Sequence, residues 1–227
     1  MRALLITREY RLLWPTVMLV LLTASLWVHH RRPFKELVAH HATSLSHLSA
    51  AQRRNVEVAA AQLDGWVVGP GERMSFNEVV GPRTRERGFV EANAFLERQR
   101  TRSIGGGVCL LASGVYAAVQ QTPWPILRRV AHPVRVQAVP PGRDATVWYG
   151  RADLLVENSF KEPVKFRVVI APTSCRVELW GKAHPGQQVG LRFAYEPGRR
   201  RGEQRVKVYR QWGSQISLLS NDLYRVR

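Results

Sequence analysis

Short apolar runs that alternate with polar residues fill the chain from Trp66 onward, and turns rich in proline and glycine separate them. Alternation with a period of two is typical of half-buried strands, and proline and glycine mark the turns that join strands. This pattern predicts a mainly antiparallel sheet. We expect strands at residues 146–149, 153–158, 164–170, 176–181, 191–195 and 206–209.

Two other segments favour helices. Residues 49–65 carry an apolar face, Ser49 and Gln52 can form a capping box, and Gly65 suits the position just past the helix. Residues 108–120 are apolar and rich in alanine, and they are long enough for about three helical turns. A helix before the strands and another among them predict one mixed α+β domain.

The N-terminal segment favours a membrane anchor. An uncharged run of about 17 residues, roughly 25 Å long as a helix, lies between basic clusters and has Trp14 and Trp27 at its ends. We expect an uncleaved signal anchor that holds the body of the protein on the extracytoplasmic face of the membrane. A cleaved signal peptide is the alternative, with Thr23, Ala24 and Ser25 as the small residues at the cleavage site.

These features divide the chain into an anchor, a connector with the first helix, a main domain and a basic strand extension. We set these four parts at residues 1–33, 34–64, 65–182 and 183–227. The connector contains His40, His41 and His47, for which we favour a solvated segment over a metal site because no cysteine or carboxylate cluster accompanies them. No metal or cofactor is expected.

The charge of the chain is strongly positive. Lys and Arg number 34 against 17 Asp and Glu, which gives a net charge of +17. Such a field attracts polyanions, and the charge alone does not choose between nucleic acid, anionic lipid and cell-wall polymer. The sequence shows no zinc site, reading helix or aromatic RNA platform, and an exported domain would not meet the genome. We therefore expect peptidoglycan or another anionic wall polymer, and no nucleic acid.

One of the two cysteines follows three consecutive glycines at the start of the second predicted helix. A helix N-terminus has unpaired N–H groups and a partial positive charge, both of which favour a thiolate, so Cys109 is a candidate nucleophile. The N–H groups of the Gly105, Gly106 and Gly107 turn are candidate donors to an oxyanion. Two non-catalytic interpretations remain open: Cys109 is simply a buried apolar residue, or it forms a disulfide with Cys175.

A nucleophilic cysteine needs a base, and His132 is the histidine best placed after the helix. Asp144 or Asp153 is the candidate that would orient the imidazole. The chain order cysteine, histidine, aspartate occurs in several unrelated cysteine acyl-transfer enzymes. Spacing along the chain does not show that these side chains meet.

A series of short motifs resembles the VanW family, which is named for an accessory protein of some vancomycin-resistance gene clusters. The resemblance spans roughly residues 65–181, with a weaker similarity near residue 208. It rests on these blocks in this order: 70–77 (PGERMSFN), 80–84 (VGPRT), 88–89 (GF), Ala92, 105–109 (GGGVC), His132, 142–147 (GRDATV) and 153–158 (DLLVEN).

The resemblance implies an exported or anchored protein of the cell envelope. Some family members act as peptidoglycan transpeptidases with a cysteine nucleophile in the motif that Cys109 matches. By the same resemblance, Cys109 would attack a stem-peptide carbonyl, His132 would activate it, and the glycine turn would hold the oxyanion. Arg129 or Arg135 is our candidate to bind an acidic group of the stem peptide.

The sequence also departs from the family pattern near the cysteine. Leu110 stands where the family has a polar glutamine, and Pro133 follows the histidine in place of a serine. A changed substrate or a lost activity would explain these replacements. Two functions therefore compete, a cysteine acyl-transferase of the L,D-transpeptidase kind and a noncatalytic, membrane-anchored module that binds the wall or a partner protein.

Overall fold

The computed structural model describes Met18 and residues 34–96, 99–136, 138–182 and 189–225. The predicted anchor at residues 1–33 lies outside these described residues, apart from Met18. Within the described part of the chain, no helix is long and apolar enough to cross a membrane.

Three helices form among the described residues: α1 at Ala50–Leu63, α2 at Phe76–Val80 and α3 at Cys109–Val119. Both predicted helices are confirmed. Ser49 caps α1 through the expected capping box with Gln52, and Gly65 follows the helix with a φ of 82°. A φ of this sign is costly for any residue with a Cβ atom, which explains the glycine.

The strands of the described residues lie on both sides of α3 in the chain. In chain order they are β1 Glu36–Ser44, β2 Val67–Val68, β3 Arg73–Ser75, β4 Glu91–Leu96, β5 Gln99–Ile104, β6 Ile126–Arg128, β7 Leu155–Glu157, β8 Val164–Ile170, β9 Ser174–Gly181, β10 Val189–Pro197, β11 Glu203–Trp212 and β12 Gln215–Arg225.

These strands pair in four sheets, and all their pairings are antiparallel. The orders are β1-β9-β8-β2, β3-β7-β6, β10-β11-β12 and the hairpin β4-β5. The α+β class with mainly antiparallel sheets is therefore confirmed.

Helix α3 lies at the centre of the main core and packs on β1 and β9. Every residue from Leu110 to Val119 is buried. Small residues allow this close packing, since a Cβ atom on Gly114 would lie 3.2 Å from Cγ2 of Val177 in β9. Only the first residue of α3, Cys109, is partly exposed, so the buried helix presents its N-terminal end at a surface.

Two expectations about secondary structure were wrong. The segment containing His40 and His41 was predicted as a connector but forms β1, which pairs with β9. Residues 146–149 were predicted as a strand, but they make only an isolated bridge from Trp148 to Ala152. The backbone there is used differently, because Thr146 N–H donates to Val130 and Val147 N–H donates to the sulfur of Cys109.

Candidate functional site

Cys109 opens α3 on the wall of a cavity of about 650 Å³. A cavity of this size suits a small ligand or a segment of peptide. The helix begins without a side-chain cap, so its N-terminus retains unpaired N–H groups beside the thiol. This position favours the negatively charged thiolate over the neutral thiol.

Each of the three glycines before Cys109 meets a separate steric demand. Gly105 and Gly107 have φ values of 86° and 102°, which residues with a Cβ atom rarely adopt. Gly106 packs against the backbone of β4, where a Cβ atom would come within 2.6 Å of the Ala92 carbonyl oxygen. The turn is therefore a tightly packed structure and not a flexible linker.

Asn55, buried on α1, holds this turn in place. Its amide nitrogen donates to the carbonyl oxygens of Gly106 and Val90, both at 2.9 Å. Its side-chain oxygen accepts from Val90 N–H at 2.7 Å. One buried side chain thus fastens the glycine turn to the residue just before β4.

The N–H groups of the turn differ in their availability. Gly105 N–H donates to Val90 and Gly106 N–H donates to Ser103, so these two groups are occupied. The N–H groups of Gly107 and Cys109 have no hydrogen-bond partner among the described residues. These two N–H groups, next to the thiol, are therefore the ones that remain to bind an oxyanion.

The structure brings His132 and Asp144 together. Nδ1 of His132 lies 2.8 Å from Oδ2 of Asp144, and the backbone N–H of His132 donates to the same oxygen at 2.7 Å. The carboxylate therefore fixes both the backbone and the ring of His132. Asp153, the alternative orienting residue, instead accepts hydrogen bonds from Ser75 Oγ and Asn77 N–H.

The other oxygen of Asp144 is held from behind the site. Tyr224 donates its hydroxyl to Oδ1 at 2.6 Å, and Nη2 of Arg129 donates to it at 3.0 Å. Arg129 also pairs with Asp222 at 2.5 Å, and its guanidinium lies over the ring of Tyr116. Two residues of β12 therefore support the Asp144 carboxylate: Tyr224 does so directly, and Asp222 does so through Arg129.

Arg129, a predicted substrate-binding residue, lies elsewhere than expected. Its side chain is 6% exposed, is committed to two carboxylates and does not line the cavity. Its place in the structure is behind Asp144. Arg135 does line the cavity, and its guanidinium donates to the side chain of Gln204.

Cys109 and His132 both line the cavity, and they lie close enough for each to shift the pKa of the other. Since Nδ1 is held by Asp144, Nε2 is the ring nitrogen left for the thiol. Burial raises the pKa of Cys109, but His132, the Val147 backbone and Arg83 together bring it below the usual thiol value. Burial lowers the pKa of His132, but Asp144 and Cys109 raise it to about 9.

The carboxylate completes this charge arrangement. Burial raises the pKa of Asp144, whereas its bonds to His132 and the charge of Arg129 lower it to about 2. Asp144 is therefore ionised at neutral pH, which stabilises a protonated His132 and, through it, a Cys109 thiolate. A thiolate–imidazolium pair is the form in which a cysteine acts as a nucleophile.

The two cysteines are free thiols in the structure. Cys175 is buried in β9, and burial raises its pKa to about 12.

Leu110, which stands where the family pattern has a glutamine, lines the cavity beside Cys109. The replacement therefore makes the cavity wall next to the thiol apolar. Among the described residues, no group of three or more His, Cys, Asp or Glu side chains is placed to hold a metal ion.

Comparison with known proteins assigns the family. The family described as VanW like protein matches residues 51–180, which is more than half of the chain. The chain belongs to the VanW-like family. The matched region contains α3, His132 and Asp144, whereas β10, β11 and β12 lie beyond it.

Two curated relatives share this region. The uncharacterized protein YoaR of Bacillus subtilis is 34% identical over 140 residues, and the vancomycin B-type resistance protein VanW of Enterococcus faecalis is 26% identical over 145 residues. The alignments cover 58% and 62% of this chain but 46% and 48% of the relatives, so the chain spans about half of their length. No solved structure matches it.

Four residues near the site had been given no role from the sequence: Asn55, Arg83, Asp222 and Tyr224. Arg83 lay in a motif block that supported the family resemblance, which was a usable signal. Asp222 and Tyr224 carried no such signal, because their contact with Asp144 depends on how the C-terminal sheet folds back.

Proposed function

We propose that this VanW-like protein is a cysteine acyl-transferase of the cell envelope that acts on the stem peptides of peptidoglycan. The observation that carries the proposal is that Cys109 and His132 lie together on the wall of one cavity, with the His132 ring hydrogen-bonded from behind to Asp144. One relative is the vancomycin B-type resistance protein VanW, which is consistent with a substrate in the cell wall. We also propose attachment to the membrane through residues 1–33, on the extracytoplasmic face.

The first half of the reaction would use the thiolate–imidazolium pair. Sγ of Cys109 forms a bond to the carbonyl carbon, and the carbonyl oxygen gains a negative charge near the N–H groups of Gly107 and Cys109. The C–N bond then breaks, the departing amine takes the proton from Nε2 of His132, and a thioester remains on Cys109.

The second half of the reaction would release the acyl group. An amine of a second stem peptide attacks the thioester carbon and gives its proton to Nε2 of His132. The C–S bond then breaks and restores the thiolate. Water in place of the amine gives hydrolysis. Asp144 takes no proton in either half, because its four hydrogen bonds and its low pKa keep it ionised.

The test is to detect the thioester. The full-length protein, purified in detergent, is incubated with soluble disaccharide–tetrapeptides and an amine acceptor, and intact-protein mass spectrometry follows the covalent adduct. We expect an adduct on Cys109 and a cross-linked product, both of which are lost in Cys109→Ala. Cys175→Ala is the matched control and retains both, because Cys175 is buried away from the cavity.

The competing function, a noncatalytic wall-binding module, makes the opposite prediction. Cosedimentation with isolated cell walls would then be the protein's full activity, and Cys109→Ser would leave it unchanged. The absence of an adduct, together with a Cys109 thiol that alkylates only above pH 8.5, would refute the acyl-transferase proposal.

A further inference from the structure

The cavity beside Cys109 has a one-sided charge. Its wall includes Arg83 and Arg135 together with His47 and His132, whereas no aspartate or glutamate of the described residues lines it. A cavity of one charge sign concentrates ligands of the opposite sign. The walls of this cavity therefore favour an anionic group on whatever occupies it.

Arg83 is held at the cavity wall by neutral groups. Its Nη1 donates to the Gly81 carbonyl at 2.5 Å and its Nη2 donates to Oδ1 of Asn77 at 2.8 Å. Its guanidinium carbon lies 5.9 Å from the centre of the Tyr149 ring, and Gly105 packs on the aliphatic part of the side chain. These contacts fix the orientation of the arginine without neutralising its charge.

A comparison with Arg129 shows what Arg83 lacks. Arg129 is buried with two carboxylates, Asp144 and Asp222, within 3.0 Å. No ion pair among the described residues includes Arg83, although it is half-buried. A charge withdrawn from water without a counter-ion is unfavourable, and binding a carboxylate in the guanidinium fork relieves that cost.

The pKa values agree with this geometry. Burial lowers the pKa of Arg83 to about 10, only partly offset by the nearby Cys109 and Asp153. Asp153 itself accepts hydrogen bonds from Ser75 and Asn77 and is not paired with the guanidinium. Arg83 thus remains a cation at neutral pH, and it is close enough to Cys109 for each to shift the pKa of the other.

We propose that Arg83 binds a carboxylate of the acyl donor, so that the substrate is an acidic peptide whose free carboxylate lies close to the carbonyl that Cys109 attacks. This inference rests on the proposed acyl-transferase function and names the recognition element of its site. Arg83 would orient the peptide in the cavity and would select against peptides that carry an amide or a cation at that point.

The test compares two alkylating reagents that differ in charge. Iodoacetate carries a carboxylate and iodoacetamide a neutral amide, and both react with the same Cys109 thiolate. The ratio of their rates therefore cancels any change in the thiol pKa and reports the attraction of the carboxylate. We expect Arg83→Gln to lower the iodoacetate-to-iodoacetamide ratio by about fivefold. Peptide mapping assigns the label to Cys109.

Two further variants make the result specific. Arg83→Lys retains the charge and should keep most of the ratio. Arg151→Gln is the matched control, since it removes the same charge from an exposed arginine outside the cavity wall, and its ratio should equal that of the wild type. An unchanged ratio in a folded Arg83→Gln, or an equal fall in Arg151→Gln, would overturn the proposal.

The outcome for Arg83 can be separated from the outcome for the proposed function. If Cys109 is an ordinary thiol and reacts with neither reagent at pH 7, the acyl-transferase proposal fails. The ratio is then measured at pH 9, where an unperturbed thiol is mostly ionised and Arg83 is still charged. If the iodoacetate-to-iodoacetamide ratio at pH 9 still falls about fivefold in Arg83→Gln, Arg83 binds anions in a cavity that is not catalytic.

Discussion

The two cysteines of this chain lie in opposite environments. Cys109 is at the exposed end of a buried helix, beside an imidazolium, and its pKa is lowered. Cys175 is inside a sheet, opposite Thr43 of β1 and Ile170 of β8, and burial alone raises its pKa to about 12. The difference shows that burial by itself does not make a thiol reactive.

The supporting residues account for this difference. His132 lies close enough to Cys109 to lower the pKa of the thiol, and hydrogen bonds connect His132 to Asp144, and Asp144 to Arg129 and Tyr224. Nothing comparable lowers the pKa of Cys175. The reactive environment is therefore produced by a chain of polar groups that ends in the C-terminal sheet, and each step of that chain can be removed separately.

The variant His132→Gln should have the largest effect, because it should bring the pKa and reactivity of Cys109 closest to those of the buried Cys175. Removal of the imidazolium leaves the burial of Cys109 uncompensated, so its pKa should rise to at least the ordinary value of about 8.5. The rate of alkylation at pH 7 should fall at least about tenfold. Thiolate absorbance followed from pH 5 to pH 10 gives the pKa directly.

The sign of the expected shift follows from the charges. In the wild type the thiolate fraction rises with pH through the lowered pKa of Cys109, while His132 stays protonated up to about pH 9. His47→Gln is a suitable control, because His47 also lines the cavity but is exposed, and it is not one of the groups that shift the pKa of Cys109. An unaltered thiol pKa in His132→Gln would contradict the role given to His132.

Tyr224→Phe should have a smaller effect than His132→Gln on the reactivity of Cys109. It removes one of four donors to Asp144, so the pKa of that carboxyl should rise from about 2, and alkylation of Cys109 at pH 7 should slow by about threefold. Ionised Asp144 stabilises the folded state at pH values above the pKa of an unfolded aspartate, and this stabilisation is lost as pH falls through the folded-state pKa. Because that pKa is higher in the variant, the variant should lose this stabilisation at a higher pH than the wild type.

Urea unfolding at pH 6 and at pH 1.5, on either side of the wild-type Asp144 pKa of about 2, measures this difference. We expect Tyr224→Phe to be less stable than the wild type by about 1 kcal/mol at pH 6, with the gap narrowing as Asp144 becomes protonated in acid. Tyr195→Phe, on the exposed face of β10, should match the wild type at both pH values. A gap that does not change with pH would assign Tyr224 a packing role only.

Local sequence patterns predicted the helices and the α+β class well. The capping box at Ser49 and the alanine-rich segment of α3 act within one or two turns, so their signals are contained in a few adjacent residues. Strand β1 was missed because its paired residues in β9 are at least 130 positions away and its two adjacent histidines obscure the alternation. Long-range pairing of this kind determines β-structure more than local preference does.

The site was predicted less completely than the fold. Cys109, His132 and Asp144 were named from residue chemistry and resemblance, but the choice between Asp144 and Asp153 needed the structure. Arg129 or Arg135 was proposed to bind the substrate on the chemistry of the arginine side chain alone, and the structure gives Arg129 another place. Its two carboxylate partners come from residues 144 and 222, and only the folded chain shows that they surround it.

The smallest expected effect on Cys109 comes from Cys175→Ala, which tests whether the buried, unreactive cysteine contributes to the reactivity of Cys109. Loss of one buried sulfur should lower the free energy of unfolding by about 1–2 kcal/mol, because a small cavity forms in the main core that Cys175 belongs to. The alkylation rate of Cys109 and its pKa should stay within about twofold of the wild type, since Cys175 is not part of the cavity wall or of the polar chain that supports Cys109. Thermal unfolding and iodoacetamide kinetics on the same preparation measure both quantities. A large change in Cys109 reactivity would mean that the two thiols communicate, and the separation drawn between their environments would then be wrong.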